Sequence, residues 1–515
     1  TDYKPGKRSL VAEDVEKLAN ELNSFYARFD QVDFSAEQAA ALRELSKREE
    51  TREVLTVEEV SSCFKGVNSR SACGPDGVAG VVLKHCHSSL APVFTTLFQQ
   101  SLDSSHIPLI WKSSEIVPVP KKPSPAVMND YRPVALTSIP FKCLERLVLR
   151  RLLEVTRPHQ DSMQFAYSPN RSTEDAIATM LHAVLEHLDK PKTYARILFA
   201  DVSSAFNTIQ PHLMAEKLMR MEVNPVIIRW VHSFLTGRPQ CVRIGTTKSA
   251  VVLTNTGAPQ GCVTSPALFT IYTADCRCPS DRAIQIKFSD DTSLTGLIST
   301  DDSSYRAAVD HLVGWCDQNY LQLNVGKTKE LIVDYRRDPP AHQPLVVKGE
   351  AVEIVSQYKY LGTILDDKLD WSEQATAMLK RGNQRLFFLK KLKAFHVCPK
   401  LLELFYRATV ESVLTFNSLC FFGSMKEHDK ARLEKIPKTA SKLVGGRLDD
   451  LQSLYELKVV KRLGAIRADD SHPLFRDISA QESSRSSRLR SLKTRTNRYL
   501  NSFLPTAVRL YNRTT

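Results

Sequence analysis

Two apolar segments of strand length run directly into carboxylates, and this pattern restricts the possible folds of the chain more than any other feature. The segment ARILFADV leads into Asp201, and the segment IQIKFSDD leads into Asp290 and Asp291. An ionised Asp inside a fold costs several kcal/mol unless it is paired or binds a cation. We therefore expect both segments to be strands whose carboxylate ends meet around a cation.

Asp290 and Asp291 are adjacent, and adjacent residues of a strand point to opposite faces of the sheet. We predict a tight β-turn at this pair, which places one of the two carboxylates beside Asp201. Three gathered carboxylates repel one another unless a divalent cation lies between them, and Mg²⁺ prefers such hard oxygen ligands. Two ions about 3.5–4 Å apart would activate a 3′-hydroxyl and stabilise a departing pyrophosphate. The pattern is typical of nucleotidyl transfer.

Positive charge is concentrated in the last part of the chain. Residues 371–515 contain 28 Lys and Arg against 13 Asp and Glu, whereas the preceding 370 residues contain 42 and 44. Phosphate contacts by Lys and Arg supply most of the non-specific affinity of a protein for nucleic acid. This distribution fits a polyanion-binding enzyme, and a solvated basic surface is the alternative.

The remaining pattern predicts several subdomains, because 515 residues are too many for one core. Thr56 and Glu59 form a capping box at the start of a helix. Residues 107–122 predict short β segments separated by prolines. A following helix is predicted to turn Leu144, Leu147, Leu152 and Val155 inward, and the chain is almost wholly helical from Trp371 onward. No apolar run approaches the roughly 18 residues of a membrane span, so we expect no membrane partner.

Several motifs in order resemble those of reverse transcriptases. FADVSSAFNTI resembles their first palm motif, GAPQGCVTSPALFTIY the second and FSDDTSL the third. The flanking segments SACGPDG, YRPVALTS, QFAYSPNRSTEDAI and LQLNVGKTKELIVDYRR resemble those of LINE-type elements in particular. On these residues, the chain from about residue 10 to its end is identified as a member of the reverse transcriptases of non-LTR (LINE-type) retrotransposons.

The resemblance implies an α+β right-hand polymerase, with fingers, a palm with an antiparallel sheet and a thumb, followed by a helical basic C-terminal region. It further implies an RNA-directed DNA polymerase. The implied division of the chain has four parts: an N-terminal helical linker over 1–52, fingers and palm over 53–350, a helical thumb over 351–450 and a basic C-terminal region over 451–515.

The resemblance also implies roles for individual residues. Asp201 and Asp290 match the principal metal ligands, the backbone carbonyl of Val202 would also contact a metal, and Asp291 would be the secondary carboxylate. The implied cofactors are two Mg²⁺ ions, with Mn²⁺ as a substitute. Lys327 matches a lysine that protonates the pyrophosphate leaving group.

Other matches concern the incoming nucleotide and the nucleic acid. Phe206 would lie under the sugar and exclude a 2′-hydroxyl, so deoxynucleotides would be preferred. Gln260 and Gly261 would support the nucleotide, and Arg132 with either Lys121 or Lys122 would grip its triphosphate. The residues expected to contact template and primer are Asn170, Arg171, Arg381, Arg385, Lys390, Lys391 and Lys393.

The implied partners are an RNA template, a DNA primer or target and dNTPs. Copying into chromosomes places the expected site of action in the nucleus, with a cytoplasmic ribonucleoprotein stage. An upstream endonuclease region of the parent polyprotein is expected to be missing from this chain. Two rivals stay open. An RNA-making polymerase or intron maturase shares the palm, although Phe206 argues against RNA synthesis. A decayed or co-opted element would only bind nucleic acid.

Overall fold

The computed structural model describes residues 12–30, 32–484 and 486–514, so residues 1–11 of the predicted linker lie outside the described part. The α-helices are α1 Ala12–Ala27, α2 Ser35–Leu45, α3 Val57–Lys65, α4 Gly80–His85, α5 His87–Asp103, α6 Leu109–Lys112, α7 Ile139–Thr156, α8 Thr173–Leu188, α9 Pro211–Arg220, α10 Pro225–Leu235, α11 Ser265–Tyr272, α12 Ser303–Gln318, α13 Ser372–Ala394, α14 Pro399–Phe405, α15 Ser412–Leu414, α16 Ser418–Phe421, α17 Glu427–Val444, α18 Leu451–Arg467, α19 Phe475–Ser479, α20 Asn497–Leu500 and α21 Phe503–Thr514.

The strands are β1 Ser114–Pro120, β2 Tyr131–Leu136, β3 Tyr194–Ala200, β4 Val202–Ser203, β5 Arg238–Ile244, β6 Thr247–Lys248, β7 Val252–Thr254, β8 Ala283–Phe288, β9 Asp291–Ile298, β10 Gln322–Leu323, β11 Lys329–Asp334, β12 Val346–Val347, β13 Glu350–Ala351, β14 Glu353–Val355, β15 Gln357–Tyr360 and β16 Thr363–Asp366. Helices and strands together confirm the α+β class.

The chain forms two compact units, each assembled from separated segments. Unit 1 contains the described residues up to Gln160 together with Ser203–Cys276 and Trp315–Gln322. Unit 2 contains Asp161–Val202, Arg277–Gly314 and the described residues from Leu323 onward. The four-part division implied by the resemblance stays a prediction.

Unit 1 is built on a mixed sheet in the order β2-β1-β5-β6, with β7 also paired to β5. The predicted capping box is confirmed at α3, where the Thr56 side chain accepts from the Glu59 N–H at 3.2 Å and the Glu59 carboxylate accepts from the Thr56 N–H at 3.1 Å. The β prediction for residues 109–112 was wrong. They form the one-turn helix α6, because the buried ring of Trp111 packs against Phe98 and Phe141.

Helix α7 of unit 1 follows its predicted stripe with one exception. Leu144, Leu147 and Leu152 are fully buried, whereas Val155 is 39% exposed. Val155 lies in the last turn of the helix, beyond the packed middle of the stripe. Its predicted inward orientation was therefore wrong.

Unit 2 contains a five-stranded sheet in the order β14-β11-β3-β9-β8. Strand β3 lies in its centre and pairs antiparallel with both β11 and β9, which confirms the expected antiparallel strands, whereas β14 pairs parallel with β11. Every residue of β3 is buried. One face of β3, with Ile197 and Phe199, packs in a core shared with the C-terminal helices, and the other face, with Leu198, packs against α12.

The C-terminal part of unit 2 is helical, as predicted. Helices α13, α17, α18 and α21 contribute Leu389, Leu433, Leu463 and Val508 to one core. Among the described helices, none combines the length and the apolar character that crossing a bilayer would need.

Candidate active site

The two predicted acidic strand ends lie side by side in the sheet of unit 2. Ala200 pairs with Thr292, so Asp201 comes directly after one member of this pair and Asp291 directly before the other. Phe199 lies two residues before Asp201, and its pairing partner Ser293 lies two residues after Asp291. Because side chains alternate along a strand, Asp201 shares a face with Phe199 and Asp291 shares the same face with Ser293. Both carboxylates therefore lie on one face of the sheet.

A tight hairpin turn joins β8 to β9, as predicted, but its centre lies one residue earlier than the Asp290–Asp291 pair. Phe288 pairs with Asp291, which leaves Ser289 and Asp290 as the two central residues. Ser289 has a φ of 59°, the left-handed value that two-residue hairpins require at their first central position. Asp290 therefore lies at the tip of the turn, and Asp291 is the residue aligned with Asp201.

Negative charge accumulates at this edge. The pKa of the Asp291 carboxyl is raised to about 6, first by loss of hydration and then by the charges of Asp290 and Asp201. The two carboxylates thus lie close enough to Asp291 to oppose its ionisation. A cation at this position would relieve the repulsion.

The loop between β10 and β11 caps the end of β3. The Asp201 carbonyl accepts from the Asn324 N–H at 2.9 Å, and the Asp201 N–H donates to Thr328 Oγ1 at 3.3 Å. Lys327 Nζ lies 3.9 Å from Asp201 Oδ2. The LNVGKT segment therefore brings the predicted Lys327 to this edge of the sheet, whereas sequence reasoning missed the capping roles of Asn324 and Thr328.

Aromatic rings support the same face of the sheet. Tyr358 of β15 stacks on Phe199 with ring centroids 4.2 Å apart, and the Tyr360 hydroxyl accepts from Ser293 Oγ at 3.2 Å. The charges of Asp291 and Asp201 add to burial in raising the pKa of Tyr358. The β15–β16 hairpin thus packs directly beneath the two carboxylates.

The predicted nucleotide-binding residues Phe206, Gln260 and Gly261 lie in unit 1. Phe206 packs against Phe269 with ring centroids 5.0 Å apart, and its carbonyl accepts from the Ala258 N–H at 2.7 Å. The Gln260 carbonyl accepts from the Ala135 N–H at 2.7 Å. Gly261 has a φ of 129°, and a Cβ there would lie 2.5 Å from the Ala135 carbonyl oxygen. Only glycine fits this approach of two backbones.

A buried acid, which sequence reasoning missed, holds the segment after Gly261. Glu145 Oε1 accepts from the N–H groups of Val263 and Thr264 at 3.1 Å and from Thr264 Oγ1 at 2.7 Å. Burial raises the pKa of the Glu145 carboxyl. The signal in the sequence that could have revealed this role is a glutamate next to the apolar stripe of α7.

Comparison with known proteins agrees with this geometry. Residues 119–365 match the family described as reverse transcriptase (RNA-dependent DNA polymerase). Residues 119–365 form a reverse transcriptase domain. Asp201, Asp290 and Asp291 all lie within this domain. A second, short match of residues 371–412, to the N-terminal family of alkylated DNA repair protein alkB homolog 8, covers α13 and α14 and contains none of these carboxylates.

Curated relatives extend the likeness beyond the domain. The chain is 25% identical over 351 residues to the probable RNA-directed DNA polymerase from transposon BS of Drosophila melanogaster, covering 66% of this chain and 38% of that protein. It is 26% identical over 390 residues to the RNA-directed DNA polymerase from mobile element jockey of Drosophila funebris, covering 71% and 41%. The Xenopus laevis transposon TX1 uncharacterized 149 kDa protein is 20% identical over 380 residues, covering 68% and 28%. The chain spans about two fifths of the length of the first two relatives.

The predicted fingers cations of the reverse transcriptase domain lie on the β1–β2 hairpin. Arg132 is exposed on β2, opposite Val119. Lys121 Nζ donates to the Asn129 carbonyl at 2.8 Å, and Lys122 Nζ pairs with Asp130 at 2.8 Å. The choice between the two lysines stays open.

The residues predicted to contact nucleic acid have mixed surroundings in unit 2. Arg171 is held by Asp469 and Ser471, and the Asn170 carbonyl accepts from Arg462. On α13, Arg385 donates to the Thr409 carbonyl, Arg381 is half-buried, and Lys390, Lys391 and Lys393 are exposed. The nucleic-acid contacts of all these residues stay predictions, and the three lysines are the most accessible of the set.

Proposed function

We propose that this chain is an RNA-directed DNA polymerase of a LINE-type retroelement, which transfers nucleotides from dNTPs to a primer 3′-hydroxyl. The observation that carries the proposal is the alignment of Asp201 with Asp291 at one sheet edge, beside Asp290 at the hairpin tip. This edge lies within the reverse transcriptase domain. Such a cluster has no structural use without a cation, because its members repel one another.

The chemistry of the donor set suits magnesium, although among the described residues no group of three or more His, Cys, Asp or Glu side chains is arranged to hold a metal ion. An open set of carboxylates is what Mg²⁺ uses in polymerases, because the ion keeps several waters and completes its coordination with substrate phosphates. Asp201, Asp290 and Asp291 would hold two Mg²⁺ ions, or Mn²⁺ in their place, with the Val202 carbonyl as a further ligand. Bound there, the metals would activate the 3′-hydroxyl and neutralise charge on the departing pyrophosphate.

Lys327 of unit 2 would move a proton, and residues of unit 1 would bind the incoming nucleotide. Lys327, 3.9 Å from Asp201, would donate its Nζ proton to the pyrophosphate oxygen that leaves. Phe206, held by Phe269 and Ala258, would exclude a 2′-hydroxyl. Gln260 and Gly261 would support the incoming nucleotide, and Arg132 with either Lys121 or Lys122 would bind its triphosphate.

Basic side chains at the end of α13 would bind the nucleic acid. Lys390, Lys391 and Lys393 project from the end of α13, and phosphate contacts by such side chains supply sequence-independent affinity. We propose an RNA template and a DNA primer as partners. Priming from a nicked target, and action in the nucleus after a cytoplasmic ribonucleoprotein stage, belong to the same proposal.

The deciding experiment is primer extension on an RNA template with magnesium. Wild type should extend the primer with dNTPs far better than with rNTPs, and Asp290→Ala should abolish extension. Asp281→Ala is the matched control, because Asp281 is exposed just before the same hairpin. Equal use of rNTPs would contradict the deoxynucleotide assignment. If wild type and Asp290→Ala both fail to extend yet bind the template–primer alike, the protein is a nucleic-acid-binding relative without polymerase activity.

A further inference from the structure

A short segment before α8 runs along the outer edge of the catalytic hairpin. The Lys287 N–H donates to the Met163 carbonyl, and the Phe165 N–H donates to the Lys287 carbonyl, both at 2.9 Å. Lys287 Nζ also pairs with Asp161 at 2.8 Å, and the lysine side chain is 3% exposed. Residues 161–167, which we name the brace, thus cover the edge of β8 next to the acidic turn.

The brace holds the turn itself through one side chain. Gln164 Oε1 accepts from the Ser289 N–H at 3.1 Å and from the Ala166 N–H at 3.1 Å. Gln164 is 5% exposed, and its Nε2 is buried without a partner among the described residues. The side-chain oxygen of Gln164 therefore accepts two hydrogen bonds, whereas its Nε2 donates none to the described residues. Gln164 thus acts at this position as a hydrogen-bond acceptor.

Ser289 needs such support. Its φ of 59° lies in the left-handed region, where residues other than glycine are strained, and it is the residue immediately before Asp290. Its N–H is a central amide of a two-residue turn, so the hairpin's own Phe288–Asp291 pairing does not fix it. The hydrogen bond to Gln164 therefore opposes relaxation of Ser289 toward negative φ, a change that would move Asp290.

We propose that Gln164 is a positioning residue for the catalytic carboxylates, acting through the backbone of Ser289. This inference rests on the proposed polymerase function. Gln164 contacts no substrate in this proposal. Its amide oxygen fixes the turn that carries Asp290 and starts β9 at Asp291.

The test compares Gln164→Met with Gln374→Met. Gln374 is the matched control, because it is equally buried in unit 2 and its Oε1 accepts from the Ile364 N–H at 3.0 Å, away from the turn. Gln164→Met should lower kcat for dNTP incorporation about tenfold, the effect of one lost hydrogen bond in the catalytic geometry. KM for dNTP should change little, the half-saturating Mg²⁺ concentration should rise, and Gln374→Met should keep the wild-type kcat.

A rescue variant separates positioning from simple packing. Ser289→Gly accepts positive φ without strain, so the double variant Gln164→Met/Ser289→Gly should recover most of the lost kcat. An unchanged kcat in Gln164→Met, an equal loss in Gln374→Met, or no recovery in the double variant would each overturn the proposal.

Hydrogen exchange tests the same inference without activity. A peptide spanning residues 285–293 should exchange faster in Gln164→Met than in wild type, and at the wild-type rate in Gln374→Met. Unchanged exchange refutes the brace even if the polymerase is active. Conversely, faster exchange in a protein whose wild type does not extend primers would uphold the brace and refute the proposed function.

Discussion

Asp291 is aligned with Asp201 across the central strand pair of the sheet, one residue beyond the Ala200–Thr292 pair, and both side chains lie on one face. The alignment follows from antiparallel pairing: the end of β3 meets the beginning of β9. A shift of the pairing by one residue would send one carboxylate to the opposite face. The register of these two strands therefore determines whether the site exists.

Removing one charge from this cluster should lower activity but raise the stability of the metal-free protein. Asp291→Asn should lower primer extension by about 10²–10³-fold or more, the scale of losing a group that stabilises transition-state charge. Without metal, the same variant should melt at a higher temperature than wild type, because burial and then the charges of Asp290 and Asp201 oppose ionisation of Asp291. Activity assays and thermal melts of Asp291→Asn and of the control Asp281→Asn check both effects. A lower melting temperature in metal-free Asp291→Asn than in metal-free wild type would contradict repulsion between these carboxylates.

Lys327 should act as an acid and not only as a positive charge. Lys327→Ala should reduce the single-turnover rate by about 10²-fold. Lys327→Arg should be as slow, because a guanidinium keeps the charge but gives up its proton poorly. Lys329→Ala is the control, because Lys329 lies two residues after Lys327 in the chain and pairs with Glu353. A wild-type rate in Lys327→Arg would show that charge alone suffices.

Phe206 should determine sugar selectivity. Phe206→Val should raise rNTP use relative to dNTP use by roughly 10- to 100-fold, because the smaller side chain leaves room for a 2′-hydroxyl. Phe269→Leu is the control for packing, since it alters the ring that Phe206 contacts. Competitive incorporation of dNTP and rNTP measures the ratio. An equal shift in both variants would assign the effect to packing.

Glu145 should make stability depend on pH. Burial raises its pKa in the folded protein above the unfolded value, so the folded protein binds more protons and loses stability as pH rises from the unfolded pKa through the folded one. Glu145→Gln removes this dependence. Its melting temperature relative to wild type should therefore increase as the pH rises above the ordinary range of a glutamate pKa. If Glu145→Gln lowers the melting temperature by the same amount at every pH, the three hydrogen bonds hold Glu145 ionised at all of these pH values.

Arg196 should be essential for the stability of the palm sheet. Its guanidinium donates to both Glu330 oxygens, at 2.8 and 2.7 Å, and both residues are buried. Arg196→Met should lower the free energy of unfolding by about 3–5 kcal/mol, because Glu330 is left as an unpaired buried charge. The exposed pair Lys47–Glu44 is the control, and Lys47→Met should leave the free energy of unfolding nearly unchanged. Urea unfolding of the two variants measures the difference.

Local signals predicted much of the secondary structure. The apolar character and length of ARILFADV and IQIKFSDD indicated β3 and the β8–β9 hairpin, and the capping box at Thr56 indicated the start of α3. The turn between β8 and β9 was expected at Asp290 and Asp291, yet its central residues are Ser289 and Asp290. The difference arises because Ser289, and not Asp291, takes up the positive φ.

Residues that act through distant partners could not be predicted in this way. Gln164 contacts Ser289 across 125 positions, and Glu145 contacts Val263 across 118. Neither contact leaves a periodic pattern in the sequence. Trp111 shows the same limit, since its packing against Phe98 and Phe141 converts a predicted strand into α6.

The amino-acid sequence by itself determined the chemical groups of this protein and the order in which they occur: the carboxylates at the ends of apolar strands, the glycine at Gly261 and the basic C-terminal region. Tertiary structure alone decided which groups meet. It aligned Asp291 with Asp201, brought Lys327 to 3.9 Å from that carboxylate and placed Gln164 against Ser289. The physical reason is that side-chain chemistry is local, whereas strand register and long-range hydrogen bonds depend on how the whole chain packs.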